Sequence, residues 1–240
     1  PAQPFSAFCM TKVYQQTALD WFERFLKRCH ELGSARDAFE KTTTEWKGYF
    51  IPYHALPVVE GNPLFPETPS VCLRIPTGGG KTRMGAEAIL RAKRSFLNVQ
   101  RCVTLWLVPS EAIREQTLRA MKRRGDVVCE TLREMGSVAV LGLDEARDLP
   151  VGLLETSDVI IVATMQAFKR DNPDALNVFK QNGALMPHFS GVPKELCGNH
   201  SLVDALRLRR PFIVVDEAHN QGTELAFDTL AKFAPSAILE

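Results

Sequence analysis

From Val71 onward the chain alternates two patterns. Short runs of apolar and β-branched residues occupy Val71–Pro76, Cys102–Pro109, Val138–Leu141, Asp158–Thr164, Pro211–Asp216 and Ala237–Leu239. Helical spacing follows Lys81, Ser110, Asn172 and Gln221. The apolar runs lack polar alternation, which predicts strands buried on both faces, as in a parallel sheet covered by helices. Strands alternating with helices predict an open α/β sheet, whose ligands sit at the carboxyl ends of its strands. Before this region, Lys12 to Leu32 has helical periodicity, with Tyr14, Ala18, Phe22, Phe25 and Cys29 on one stripe. Residues 33–70 are harder to read: a short helix, then an extended connection or inserted lobe with five prolines between Pro52 and Pro69. The expected organisation is therefore 1–32, an N-terminal helix; 33–70, an insertion; and 71–240, the α/β domain.

Composition narrows this picture. With 240 residues, 45% of them hydrophobic, the chain can bury a sizeable core. Net charge is +1, so bulk charge does not argue for nucleic acid. Positive charge is clustered at Arg91/Lys93/Arg94, Lys122/Arg123/Arg124 and Arg207/Arg209/Arg210. Each cluster reads either as a solvated helix end, favoured by the C-terminal dipole, or as a phosphate contact. Six cysteines are scattered with no CxxC pair, which predicts reduced, buried thiols and a cytoplasmic setting. No apolar run approaches the roughly 18 residues needed to span a bilayer, and the first residues lack signal-peptide form.

The candidate chemistry begins at "RIPTGGGKTRMG", Arg74 to Gly85. Gly80-Lys81-Thr82 completes the end of a phosphate-loop pattern, although Ile75 stands where that pattern has its first glycine. A strand enters and a helix leaves, which weighs against a mere glycine-rich turn. Pro76, Thr77, Gly78, Gly79 and Gly80 let backbone wrap an anion. Lys81 can reach β- and γ-phosphates, and the Thr82 hydroxyl can ligate Mg²⁺. Downstream, "RPFIVVDEAHNQG" (Arg210 to Gly222) ends a buried strand in two acids. Asp216 at the strand end can hold Mg²⁺ through water. Glu217 can orient and deprotonate an attacking water. His219 could link the nucleotide site to a neighbouring domain.

Together these segments resemble superfamily 2 helicases and translocases. "PTGGGKT" resembles their motif I, and Asp216-Glu217-Ala218-His219 the DEAH form of motif II. "LVPSEAIREQT" (Leu107 to Thr117) resembles motif Ia, and "IIVATMQAFKR" (Ile160 to Arg170) the motif Ib region. "KVYQQTAL" (Lys12 to Leu19) resembles the segment that places a glutamine, here Gln15, on adenine, with Lys12 where the family often has arginine. The resemblance is closest to the helicase (Res) subunit of type III restriction enzymes. It covers roughly residues 12–32 and 71–240; 33–69 has no counterpart.

This resemblance implies a RecA-like ATP-binding motor domain that uses ATP and Mg²⁺. Its partners would be nucleic acid, with DNA favoured over RNA, and a methyltransferase subunit. Ser110, Arg114, Thr164 and Gln166 would hold backbone phosphates irrespective of sequence. For Ser110 helix capping is an equal alternative. The family's motif III would follow the strand near Ala237. The expectation is thus a first motor domain that, without its RecA-like partner and arginine fingers, binds Mg-ATP weakly and barely hydrolyses it. The alternatives are a P-loop kinase or transferase acting on a small acceptor, an RNA helicase domain of the same superfamily, and a nucleotide-gated binding module.

Overall fold

Each uninterrupted apolar run becomes a strand of one sheet. The computed structural model describes residues 12–76, 78–168, 178–216 and 224–240. Its strands are β1 (Ser70–Val71), β2 (Val103–Val108), β3 (Val138–Gly142), β4 (Asp158–Thr164), β5 (Phe212–Val215) and β6 (Ala237–Leu239). They lie in the order β1-β6-β5-β2-β4-β3, every pair parallel. This is an α/β, RecA-like arrangement.

Alternate residues of the same apolar run serve two cores. Trp106, Val108, Ile160, Val162, Phe212 and Val214 point into one. Leu105, Leu107, Val159, Ile161, Ile213 and Val215 point into the other. Burying one such side chain is worth about 1.5–3 kcal/mol, so both layers stabilise the sheet. β1, at the sheet edge, is shorter than its run, with two residues. Its ladder still extends to Leu73, whose N–H donates to the Glu240 carbonyl at 2.7 Å. Cys72 there is exposed rather than buried, unlike the expectation for a core strand.

The first core is roofed by helices α1 (Val13–Leu32), α3 (Lys81–Ala92) and α5 (Val127–Arg133). The buried stripe of α1 is Gln15, Leu19, Phe22, Leu26 and Cys29, with Phe25 beside it. This is rotated from the apolar reading at its start: Tyr14 is 40% exposed and the polar Gln15 is buried. The reason is a contact with the phosphate loop, described below.

Residues 33–70 are fastened down rather than set apart as a lobe. Helix α2 (Ala35–Lys47) is longer than expected and is capped by Ser34, whose hydroxyl accepts from the Asp37 N–H. Its Phe39 packs edge-on to Trp21 and Phe25 of α1, and also meets Tyr53. Buried Tyr53 donates its hydroxyl proton to the Thr68 carbonyl and accepts from the Ser70 N–H. Phe65 is fully buried, and Asn62 donates to the Ala231 carbonyl. The prolines thus shape a strap across the fold, anchored by single side chains. The predicted helix after Asn172 starts outside the described residues. The helix expected after Gln221 is seen as Glu224–Ala231.

Candidate nucleotide and nucleic-acid site

The loop between β1 and α3 is built by glycines with different jobs. Gly78 and Gly80 hold φ of 72° and 76°, a left-handed region that disfavours side chains. At Gly79 the constraint is space: a Cβ would stand 2.6 Å from Ile75 Cγ2 and 2.7 Å from the Pro76 carbonyl oxygen. The Gly79 N–H donates to Pro76 O at 2.8 Å, closing the turn. No side chain caps the start of α3. Its first N–H groups therefore stay open to an anion, at the positive end of the helix dipole.

The start of α1 clamps this loop. Gln15 Nε2 donates to Gly79 O at 2.6 Å, and the Tyr14 hydroxyl donates to the same oxygen at 3.2 Å. Gln15 Oε1 accepts the Lys12 N–H at 2.8 Å. Tyr14, which the sequence places on the apolar stripe, is thus a second donor to this loop. An aromatic directly before the candidate glutamine was the available signal. The helices behind the clamp are tied as well, by Arg91 of α3 reaching Asp20 (2.6 Å) and Glu23 (3.2 Å) of α1.

Lys81 and Asp216 line one cleft of about 410 Å³ at the carboxyl edge of the sheet. Asp216 follows β5 directly, and its N–H donates to Leu107 O at 2.8 Å, which fixes it at the strand end. β6 separates β1 from β5, so the loop and Asp216 stand about two strand spacings apart, roughly 10 Å. The cleft floor is apolar, with Met84, Trp106 and Leu239. Gly85 lets α3 lie directly on the Trp106 ring. An ammonium, a carboxylate and open helix-start N–H groups suit a metal-bound polyphosphate. Thr82 sits in the first turn of α3, half-buried. Thr77, Glu217 and His219 lie outside the described residues. Among the described residues no cluster of three metal-ligating side chains occurs.

The expected nucleic-acid residues form a row on the same edge. β2 and β4 are neighbours with Val108 opposite Thr164, so Ser110 and Gln166 each follow that pair by two residues. Gln166 is exposed on the turn Met165–Phe168, while Thr164 is buried. Ser110 caps α4 (Glu111–Lys122), accepting from the Ile113 N–H at 3.4 Å. Arg114 is held by Glu111 (2.6 Å) and Glu115 (2.9 Å), and the Glu111 carboxylate keeps its guanidinium above its ordinary pKa. In this state both residues therefore do local work.

The basic clusters separate similarly. Arg91 and Lys93 are paired, the latter with buried Asp158 at 2.6 Å, and Lys122 pairs with Glu145. Arg207, Arg209 and Arg210 have no ion pair among the described residues. No described helix is long and apolar enough to cross a membrane.

The model of the family described as type III restriction enzyme, res subunit, matches residues 9–240. No curated protein matches the chain.

Proposed function

The chain belongs to the family of the type III restriction enzyme res subunit, a helicase family, and from that premise we propose the following reading. It is the first ATP-binding motor domain of a nucleic-acid-dependent DEAH-type helicase or translocase, acting on DNA in a restriction-type system in the cytoplasm. The observation that carries the reading is Lys81 and Asp216 facing one cleft beside the open start of α3. Lys81 would hold the β- and γ-phosphates, while Thr82 and Asp216 would hold Mg²⁺. Bound Mg²⁺ would neutralise charge developing on the transferred phosphoryl group. Glu217 would orient and deprotonate water. Gln15 commits one amide hydrogen to Gly79 and has a second for adenine. Pro76, Thr77, Gly78, Gly79 and Gly80 would wrap the phosphates.

On the nucleic-acid side, Ser110, Arg114, Thr164 and Gln166 form the row that would meet backbone phosphates, and His219 would couple the two sites. Arg114 would exchange its glutamates for phosphate, a competition that makes contact salt-sensitive. A second RecA-like domain supplying arginine fingers, and a methyltransferase subunit, are the partners this reading calls for.

Binding measurements on the chain test it. Mg-ATP affinity should fall about tenfold or more in Lys81→Ala, and duplex-DNA affinity should drop steeply between about 50 and 200 mM salt. Nucleotide binding indifferent to Lys81 would sink the reading. Equal or tighter binding of RNA would move it to RNA remodelling. Phosphorylation of a small acceptor without nucleic acid would favour a P-loop kinase.

A further inference from the structure

The opposite edge of the sheet holds a cavity of about 500 Å³, where β2, β5 and β6 begin. It is separated from the nucleotide cleft by the length of β2, roughly 20 Å. Its walls divide by chemistry. Phe96 and Leu97, from the π-helical turn Lys93–Leu97, join Leu154 and Leu208 as an apolar floor. Arg101, Arg209 and Arg210 reach it from two different connections, with no carboxylate in the lining.

The cations lack compensation. Arg209 and Arg210 are exposed and have no ion pair among the described residues. Arg101 has only Asp158, at 3.7 Å, and Asp158 already takes Lys93 at 2.6 Å and the Cys102 N–H at 2.9 Å. Like charges gathered around an apolar hollow repel one another until an anion enters. Arg210 closes its helix as a left-handed C-cap, with φ of 46°.

We propose that this cavity is a second binding site, for a small organic anion: a carboxylate or phosphate on a compact apolar body. The guanidiniums take the anionic head in forked hydrogen bonds, and the floor takes the body. The volume lies within the usual range of small-ligand sites. It uses none of the nucleotide-site residues, so either reading can fail alone.

Phenyl phosphate is the probe, titrated into the chain with the leucine and valine methyls observed by NMR. Saturable shifts at Leu97, Leu154 and Leu208 are expected. Arg209→Gln combined with Arg210→Asn should weaken binding about tenfold or more, asparagine being chosen because it tolerates the positive φ. Both residues are exposed, so the variant should fold. Arg124→Gln combined with Arg207→Gln removes the same charge from exposed positions outside the cavity and should leave affinity unchanged. So should Lys81→Ala. Inorganic phosphate, lacking the apolar body, should bind about tenfold more weakly than phenyl phosphate. The proposal falls if no saturation occurs, if shifts appear only around Val214 and Leu239 of the nucleotide cleft, if the charge-matched control loses as much, or if inorganic phosphate binds equally well.

Discussion

Gly79 is where the nucleotide loop is held. Its carbonyl accepts from both Gln15 and Tyr14, so one oxygen carries the connection between α1 and the loop. The Gln15 bond is short and buried; the Tyr14 bond is longer and half-exposed. Removing a partner from a buried acceptor costs about 1–3 kcal/mol, and from an accessible one closer to 0.5–1.5 kcal/mol. Gln15→Ala should therefore weaken Mg-ATP about tenfold, and Tyr14→Phe only a few-fold, in a titration with a fluorescent ATP analogue. Because the two share one acceptor, their effects should not add. Strict additivity, or a larger loss in Tyr14→Phe, would disprove the shared clamp. The sequence located Lys81 and Asp216 because their spacing from apolar runs is local information. It could not show that Tyr14 works on Gly79, because that partner lies 65 positions away. It likewise left Ser110 open between capping and phosphate contact, and the Ile113 N–H donating to its hydroxyl at 3.4 Å shows the capping role.

At the level of elements, strands were legible because burial on both faces leaves an unbroken apolar run, a signal independent of topology. The strap over residues 48–69 was not, because Tyr53, Asn62 and Phe65 anchor it singly and without period. The start of β4 was legible only in part. Asp158 opens an otherwise apolar strand yet is fully buried. It joins three elements, taking the Lys93 ammonium of the π-helical turn and the Cys102 N–H at the entrance to β2. Asp158→Ala would leave Lys93 without its counter-charge and Cys102 N–H without an acceptor. Breaking such a pair costs about 3–5 kcal/mol, to be read as a lower urea midpoint. Asp158→Asn should lose less, since an amide oxygen can still accept from Cys102. A loss under about 1 kcal/mol in Asp158→Ala would show that the pair is peripheral to stability.

Across the whole molecule, two buried thiols lie in different elements, Cys29 in α1 and Cys102 just before β2. Burial pushes each thiol from 9.0 up to about 12. The sign follows from linkage. Below pH 9 both states hold these protons and the thiols add no pH dependence. Above it the unfolded chain ionises first while the folded chain keeps its protons, so stability falls as pH rises toward about 12. The limiting slope is about 1.4 kcal/mol per pH unit for each thiol. Buried Tyr53, also raised by desolvation, adds a loss of the same sign from about pH 10. Urea unfolding at about pH 8 and about pH 10.5 should show a marked drop in the wild type. In the double variant Cys29→Ala, Cys102→Ala, that drop should shrink, leaving the part due to Tyr53 and other groups. An unchanged drop would mean that water reaches these thiols in the folded state. That in turn would loosen the packing of α1 on the sheet, the same packing that brings Gln15 to the loop. The alkaline slope therefore reports, from the core, on whether the nucleotide clamp has a rigid base.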